Sequence, residues 1–229
     1  RWNRPTPPSV SALVGNPVTL DPSGRATPSG LVPPVQSTAF VLHGERTIRA
    51  LRLLVGGARP EGVAPTITEV TADLQTAHRR ERVRFIVAYR EDSSDATAAI
   101  DGVNRTGVEF ATPGSVVLVP DVPIVAEGGT LTVRVEERRG RAAVANWMSL
   151  EVSADESAVL SPALSDALQQ PREARSAEAV AALARTFTRA GNGSPVRDAA
   201  RELRDIELET RRLQPTPPRA MRDDPPGRP

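Results

Sequence analysis

The chain has 229 residues, of which 39% are hydrophobic and only 3% aromatic, so we expect a core built mainly from Val, Leu, Ile and Ala. Its 29 basic and 28 acidic residues nearly balance, and a net charge of +1 lacks the positive excess that binding to a phosphate backbone needs, so no nucleic-acid partner is predicted. The lack of Cys excludes disulfides, thiolate metal sites and covalent haem attachment from these residues, and no apolar run is long enough to predict a membrane span.

The N-terminal residues 1–36 are rich in Pro, Gly, Ser and Thr. This composition predicts an extended segment with many turns and short edge strands. From about residue 38 to residue 154, apolar and polar residues alternate in one segment after another. The alternation is clearest in five segments: RALRLLV (49–55), TITEVTADL (66–74), VRFIVAYR (83–90), TLTVRVEE (130–137) and NWMSLEVS (146–153).

Alternation with one apolar face is typical of antiparallel strands that are half exposed to water. Several such strands, separated by turns rich in Gly, Pro and Asp, predict a mainly β chain with an antiparallel β-sandwich over residues 1–155. In VRFIVAYR the alternation predicts that four side chains share one apolar side: Val83, Phe85, Val87 and Tyr89.

The pattern becomes helical after residue 155, which predicts a small all-helical extension over residues 156–214. Helices are expected to begin at Ser161, near Ser176 and at Ser194, because Ser caps helix N-termini and Pro, which follows the first and third of these, suits the first turn. Such short helices depend on packing against another surface, either the sandwich or a neighbouring domain. The Pro-rich residues 215–229 are predicted to form a linker.

The sequence does not predict catalysis by this chain alone. Its two histidines, His43 and His78, lie in different segments, and neither is beside an obvious nucleophile. There is no Gly-x-Ser-x-Gly motif and no Gly-rich loop of the kind that binds phosphate. We therefore predict two separate packed or surface histidines and name no catalytic residue.

The segment AAIDGVNRTGVEF (98–110) contains the best candidate for a binding site. Asp101, Asn104 and Thr106 carry three side-chain oxygens within one turn, and Ca²⁺ prefers a shell of oxygen ligands that tight turns can supply. Because the turn has one carboxylate, calcium would need another from elsewhere, for which Glu109 and Glu151 are the candidates. The alternative is that Asp-Gly forms a tight turn whose backbone is hydrogen-bonded by Asn104 and Thr106.

Sugar binding by a sandwich usually needs an exposed aromatic ring beside polar groups. Trp147 is predicted to lie on the face of its strand opposite Met148, where it is either exposed or packed at a second interface. Trp2 lies outside the main strands. With so few aromatic rings in the chain, packing is the alternative interpretation for both tryptophans.

The order of five motifs resembles that of galactose-binding-like jelly rolls. The motifs are IRALRLLV, PTITEVTADL, AAIDGVNRTG, GGTLTVRVEERRGR and WMSLEVSAD. Over nearly its full length the chain is similar to the central region of the large planctomycete cytochrome-c-domain proteins, which have a tryptophan near the start of the sandwich, here Trp2. LSPALSDALQQPREARSAEAVAALARTF looks like their helical stretch, and RELRDIELETRRLQPTPPRAM looks like the segment that leads into their C-terminal domain.

This resemblance implies an exported multidomain protein in which any haem c lies in another domain. Our leading hypothesis is a non-catalytic interaction or scaffolding module within such a protein, with neighbouring domains as partners and glycan as a candidate ligand. The alternatives are an accessory part of an enzyme whose active site other domains complete, and a purely structural spacer. Related jelly rolls often have a second acid and a Trp where this chain has Val103 and Val108, which weakens the case for calcium and for a sugar platform there.

Overall fold

The computed structural model describes most of the chain, namely residues 2–5, 9–30, 34–44, 47–57, 64–126, 128–138 and 144–190. The third predicted helix, from Ser194, and the predicted linker over residues 215–229 lie outside the described residues. The helices in the described part are α1 (Pro162–Gln169), α2 (Ala177–Ala190) and three short 3-10 helices, Thr97–Ala99, Glu156–Val159 and Arg172–Ala174.

The same part of the chain contains fourteen strands. In chain order they are β1 (Ser9–Val14), β2 (Val18–Leu20), β3 (Ala26–Pro28), β4 (Val35–Gly44), β5 (Thr47–Ile48), β6 (Ala50–Val55), β7 (Thr66–Gln75), β8 (Arg80–Val83), β9 (Phe85–Arg90), β10 (Val108–Glu109), β11 (Gly114–Pro120), β12 (Ile124–Val125), β13 (Gly129–Arg138) and β14 (Met148–Ser153).

The strands form two six-stranded sheets and one small ribbon. Sheet 1 has the order β1-β4-β13-β7-β10, with β8 also paired to β7, and sheet 2 has the order β2-β3-β14-β6-β11-β9. The ribbon pairs β12 with β5. All of these strand pairs are antiparallel. The prediction of a mainly β chain with antiparallel sheets is therefore confirmed.

Both sheets contribute side chains to one hydrophobic core, an arrangement consistent with a β-sandwich. On the regular strands the alternate residues point to this core, as the period of two predicts. Sheet 1 supplies Phe40, Leu42, Val70, Leu74, Leu131, Val133 and Val135, and sheet 2 supplies Leu51, Leu53, Val55, Val116, Leu118, Met148 and Leu150. The few aromatic rings fill only a small part of this core, so aliphatic packing dominates, as the composition predicts.

The prediction that VRFIVAYR has a single apolar side is wrong. The segment is divided between β8 and β9, and β9 contains a bulge, because Val119 pairs with Val87 whereas Pro120 pairs with Phe85. An extra residue in a strand reverses the side to which the following residues point. Phe85 therefore lies in the main core, whereas Val87 and Tyr89 belong to a second hydrophobic cluster on the outer face of sheet 2.

The start of the helical extension packs on the sandwich through this second cluster. Ala158 and Val159 pack with Tyr89 and Val117 there. Helix α1 begins after Ser161 with Pro162 in its first turn, and the Ser176 hydroxyl accepts the Ala179 N–H at the start of α2, so both predicted helix starts are confirmed. On α2, Leu183 is buried, whereas Val180 is 47% exposed.

The N-terminal segment lies on the same outer face of sheet 2. Asn3 and Val152 form an antiparallel bridge in which each N–H donates to the other's carbonyl oxygen, both at 2.8 Å. The guanidinium of Arg52 lies 4.6 Å from the centre of the Trp2 ring, a cation–π distance. The start of the described chain is thus held against β14 and β6 of sheet 2.

Tyr89 is the side chain that fastens the segment after β14 to sheet 2. Its hydroxyl lies 2.9 Å from the carbonyl oxygens of both Ala158 and Leu160, and burial raises its pKa to about 12, so it remains a donor. We expect Tyr89→Phe to lower the free energy of unfolding by roughly 1 to 2 kcal/mol, because the carbonyls of Ala158 and Leu160 lose the one hydroxyl proton that they share. Amide hydrogen exchange should accelerate at residues 157–165. Unchanged protection there would show that Tyr89 is not the anchor, and the amides of β13 are the internal control.

Candidate functional site

The Asp101 turn, residues 101–106, is held together by its own side chains. The Asp101 carboxylate is 1% exposed and accepts the Val103 N–H at 2.9 Å. The Thr106 hydroxyl lies 2.9 Å from each oxygen of this carboxylate and 2.7 Å from the Val103 carbonyl oxygen. Gly102 adopts a φ of 70°, a left-handed conformation that glycine tolerates best. The geometry agrees with part of the alternative proposed from the sequence, since the turn is tight and the Thr106 hydroxyl bonds its backbone, whereas Asn104 is exposed.

The four residues predicted to bind calcium are not brought together. Asp101, Asn104 and Thr106 share the turn, although Asn104 is exposed. Glu151, in contrast, belongs to β14 in sheet 2, where its carboxylate pairs with Arg52 and lies 3.6 Å from Arg4. The reason is local, since Glu151 stands directly opposite Arg52 across the β14–β6 pair. Among the described residues no group of three or more His, Asp or Glu side chains is arranged to hold a metal ion, and calcium stays a prediction.

The Asp101 turn forms one wall of a cleft on the outer face of sheet 1, with a volume of about 640 Å³. Strands β7 and β13 provide its floor, and β8 and the start of β9 provide the opposite wall. The cleft is lined by Glu69, Val70, Thr71, Arg82, Val83, Arg84, Phe85, Ile100, Asp101, Gly102, Asn104, Arg134 and Glu136. This set combines carboxylates, guanidiniums, an amide and a hydroxyl with several apolar side chains. We call it the sheet 1 cleft.

A bulge in β7 sets the position of Glu69 in this cleft. Glu136 pairs with Glu69 but Glu137 pairs with Ile67, so Thr68 is the extra residue, and its hydroxyl fills the gap by donating to the Glu136 carbonyl oxygen at 3.1 Å. Bulges bend a strand and redirect its side chains, and they are enriched beside binding sites. Ile67 consequently points to the core, while Glu69 points into the cleft.

Glu69 is the acid of the cleft whose pKa is shifted most from its usual value. Only 9% of the residue is exposed, and its Oε2 accepts the Gly102 N–H of the Asp101 turn at 2.7 Å. Burial raises the pKa of its carboxyl to about 7, and the negative charges of Asp101 and Glu136 act in the same direction. The carboxyl therefore changes protonation state much closer to neutral pH than an ordinary Glu does, and it can donate a hydrogen bond when protonated but only accept when ionised.

Arginines fix the other end of the cleft. The Asp73 carboxylate accepts from Arg134 at 2.6 Å and from Arg82 at 3.2 Å. Sharing one carboxylate orients both guanidiniums while leaving further N–H donors on each, since a guanidinium has several in a fixed plane. The cleft is thus acidic at the Glu69 end and basic at the Arg134 end.

The two tryptophans are not open platforms. The Arg25 guanidinium lies 4.3 Å from the centre of the Trp147 ring, and Gly56 packs so closely that an added Cβ would lie 2.4 Å from the indole nitrogen. Trp2 is contacted by Arg52 in the same manner. For both rings the packing interpretation of the sequence fits the geometry.

The histidines lie apart from the sheet 1 cleft. His43 is exposed at the end of β4, with its Nδ1 3.3 Å from the Thr130 hydroxyl oxygen. His78 is in the hairpin turn between β7 and β8, where its backbone N–H donates to the Thr76 hydroxyl at 3.4 Å. These positions agree with the prediction of two separate histidines.

Comparison with protein-family models, with curated proteins and with solved structures finds no match to this chain. Within the described residues, none of the helices has both the length and the apolar character needed to span a membrane. Functional inference therefore depends on the chemistry of the cleft itself.

Proposed function

We propose that this chain is a non-catalytic interaction module of a larger exported multidomain protein, and that the sheet 1 cleft binds a glycan. The observation that carries the proposal is the arrangement of pre-oriented polar groups around the cleft. Glu69 is held by Gly102, and Arg134 is held by Asp73, before any ligand arrives. Pre-orientation reduces the entropy lost on binding, so such groups favour recognition.

The chemistry of the lining suits a polyhydroxylated ligand. Sugar hydroxyls both donate and accept hydrogen bonds, and the cleft offers acceptors at Glu136, donors at Arg134 and both at Asn104. Its apolar residues provide a surface for the C–H face of a sugar ring. The volume of about 640 Å³ falls within the range of small-molecule sites and would hold one or two sugar units.

The place of this module in a larger protein is part of the same proposal. The two antiparallel sheets with a shared core support a jelly-roll sandwich of the galactose-binding-like type, although fold alone does not determine function. The resemblance to the planctomycete cytochrome-c-domain proteins adds export, neighbouring domains as partners, and haem c located in another domain.

The cleft proposal is tested by affinity gel electrophoresis of the chain against soluble polysaccharides, with and without calcium. We expect retardation by at least one polysaccharide. Thr71→Val and Asn104→Ala should each weaken binding roughly 3- to 10-fold, because each removes one hydrogen bond to the ligand. Thr132→Val is the matched control, since Thr132 is on the same face of sheet 1 but outside the cleft lining. No retardation, or equal effects of Thr71→Val and Thr132→Val, would reject the proposal.

One observation favours a second function, an accessory role in an enzyme. A buried carboxyl with a pKa of about 7, beside a second acid in a cleft, has the properties of a general acid or base. In that case the catalytic partners would come from domains outside this chain, and Glu69 would be its contribution to the site.

A further inference from the structure

A second pocket lies on the opposite side of the molecule, on the outer face of sheet 2. Its volume is about 260 Å³. Strands β6, β9 and β11 form the floor, while Trp2 and the segment from Ser157 to Ser165 form the walls. The lining is Trp2, Arg52, Tyr89, Glu91, Ser115, Val117, Ser157, Ala158, Leu160, Pro162 and Ser165. We call it the sheet 2 pocket.

Ser115 supplies the observation that points to a ligand. It is 3% exposed, lines the sheet 2 pocket from β11, and its hydroxyl has no hydrogen-bond partner among the described residues. A buried hydroxyl without a partner destabilises a fold by about 1 to 3 kcal/mol. Two other hydroxyls of the lining are already engaged, since Tyr89 donates to a main-chain carbonyl and Ser157 donates to the Asp155 carboxylate at 2.9 Å. Ser115 therefore lacks the partner that a bound molecule would supply.

Charge limits what this molecule can be. The guanidinium of Arg52 is neutralised by Glu151, with its Nε 2.9 Å from Oε2, which leaves the Nη1 donors outside that pair. Glu91 stands exposed at the rim. Because Glu151 already neutralises Arg52, the pocket attracts an anionic ligand little, and Glu91 would repel it. A cationic ligand would be attracted only by Glu91, whose charge is exposed at the rim and screened by water. A neutral molecule rich in hydroxyls needs no charged partner and can form hydrogen bonds with Arg52 and Glu91.

We propose that the sheet 2 pocket binds one small neutral polyol of monosaccharide size, with Ser115 and Arg52 hydrogen-bonded to it and Trp2 as an apolar wall. Its volume is just below the usual range of about 300 to 1,000 Å³ for small-molecule sites, which fits a ligand of this size. The pocket is in the other sheet from the cleft proposed above, so failure of one binding proposal would not affect the other.

The test uses the two indole N–H signals of the chain in a ¹H–¹⁵N spectrum, one from Trp2 and one from Trp147, assigned with Trp147→Phe. The probes are galactose, glucose, mannose and inositol. We expect one of them to shift the Trp2 signal in a saturable manner while the Trp147 signal stays in place. Absence of a saturable Trp2 shift with all four probes would overturn the proposal and leave water as the partner of Ser115.

Ser115→Ala should weaken this binding roughly 5-fold or more, by loss of one hydrogen bond, without lowering stability. Thr38→Val is the matched control, because Thr38 on β4 also has a buried hydroxyl without a partner but lies in sheet 1. If Ser115→Ala and Thr38→Val bind the probe equally well, Ser115 is not part of a binding site. Thr71→Val in the sheet 1 cleft should leave the Trp2 shift unchanged. This control distinguishes binding in the sheet 2 pocket from glycan binding in the sheet 1 cleft.

Discussion

Replacing Asp101 by Ala is expected to lower the free energy of unfolding by roughly 2 to 4 kcal/mol, because the turn loses its central acceptor. The buried carboxylate accepts from the Val103 N–H and the Thr106 hydroxyl, each at 2.9 Å. Alanine leaves both donors without this partner in a place that water reaches poorly. Since Gly102 donates to Glu69, loosening the turn should also disturb the wall of the sheet 1 cleft. Urea denaturation measures the loss.

Asn104→Ala is the control for this experiment, because Asn104 is an exposed member of the same turn and its loss should change stability by less than about 0.5 kcal/mol. Asp101→Asn should fall between the two, since an amide oxygen can still accept one of the hydrogen bonds. A stability of Asp101→Ala equal to that of Asn104→Ala would contradict the structural role of the turn. Repeating the series with calcium and with a chelator tests the calcium prediction, because a bound ion would stabilise only chains with an intact turn.

Glu69→Gln is expected to stabilise the protein at pH 8 and to leave it unchanged at pH 4. The folded state raises the pKa of this carboxyl from a usual value of 4.5 to about 7, so ionisation is easier in the unfolded chain. Stability is then greatest below pH 4.5, falls as the pH rises from 4.5 to 7, and is constant above that. Allowing for solvent that screens the cleft, the loss amounts to roughly 2 to 3 kcal/mol.

Denaturation at several pH values between 4 and 8 checks this result. The free energy of unfolding of the wild type should fall as the pH rises from 4.5 to 7. In Glu69→Gln this fall should be smaller, because Gln cannot ionise yet keeps an oxygen to accept the Gly102 N–H. Glu81→Gln serves as control, since Glu81 forms an exposed ion pair with Arg79 that contributes little to stability. An unchanged pH profile in Glu69→Gln would show that another group titrates in this range.

The same variant separates the two proposed functions in the parent protein. An interaction module should keep any turnover of the parent protein unchanged when Glu69 is replaced by Gln. An accessory catalytic role requires turnover to fall, and to lose the part of its pH dependence that lies near pH 7. The two outcomes exclude each other, and Glu69→Gln is expected to fold.

Local patterns in the sequence predict the strands well where each strand is regular. Leu131, Val133 and Val135 alternate with polar residues, and all three lie in the core. The bulges could not be foreseen in this way, because an extra residue is defined only against the partner strand. The bulge before Val87 reverses half of β9, which is why the single apolar side predicted for that segment is wrong.

The candidate site shows the same division between local and long-range information. The closed form of the Asp101 turn could be predicted, since Asp101 and Thr106 are five residues apart in the chain and meet within one turn. Glu69 and Arg134 were missed as members of a cleft, because they lie on different strands whose register the sequence does not reveal. The polar side of TITEVTADL was the available indication for Glu69. The sequence also does not reveal that β14 pairs with β6, which places Glu151 opposite Arg52 and away from the Asp101 turn.

The bridge between Asn3 and Val152 has a mechanical consequence. Because the pair is antiparallel, the chain before Asn3 and the chain after Val152 leave it at the same end. Tension applied through these two segments would load the two hydrogen bonds one after the other instead of shearing them together. A pull on the C-terminal side would first meet the contacts of Tyr89 with Ala158 and Leu160. Trp2 immediately precedes Asn3, so a pull on the N-terminal side would withdraw Trp2 from Arg52 and open the sheet 2 pocket before it broke the bridge to Val152.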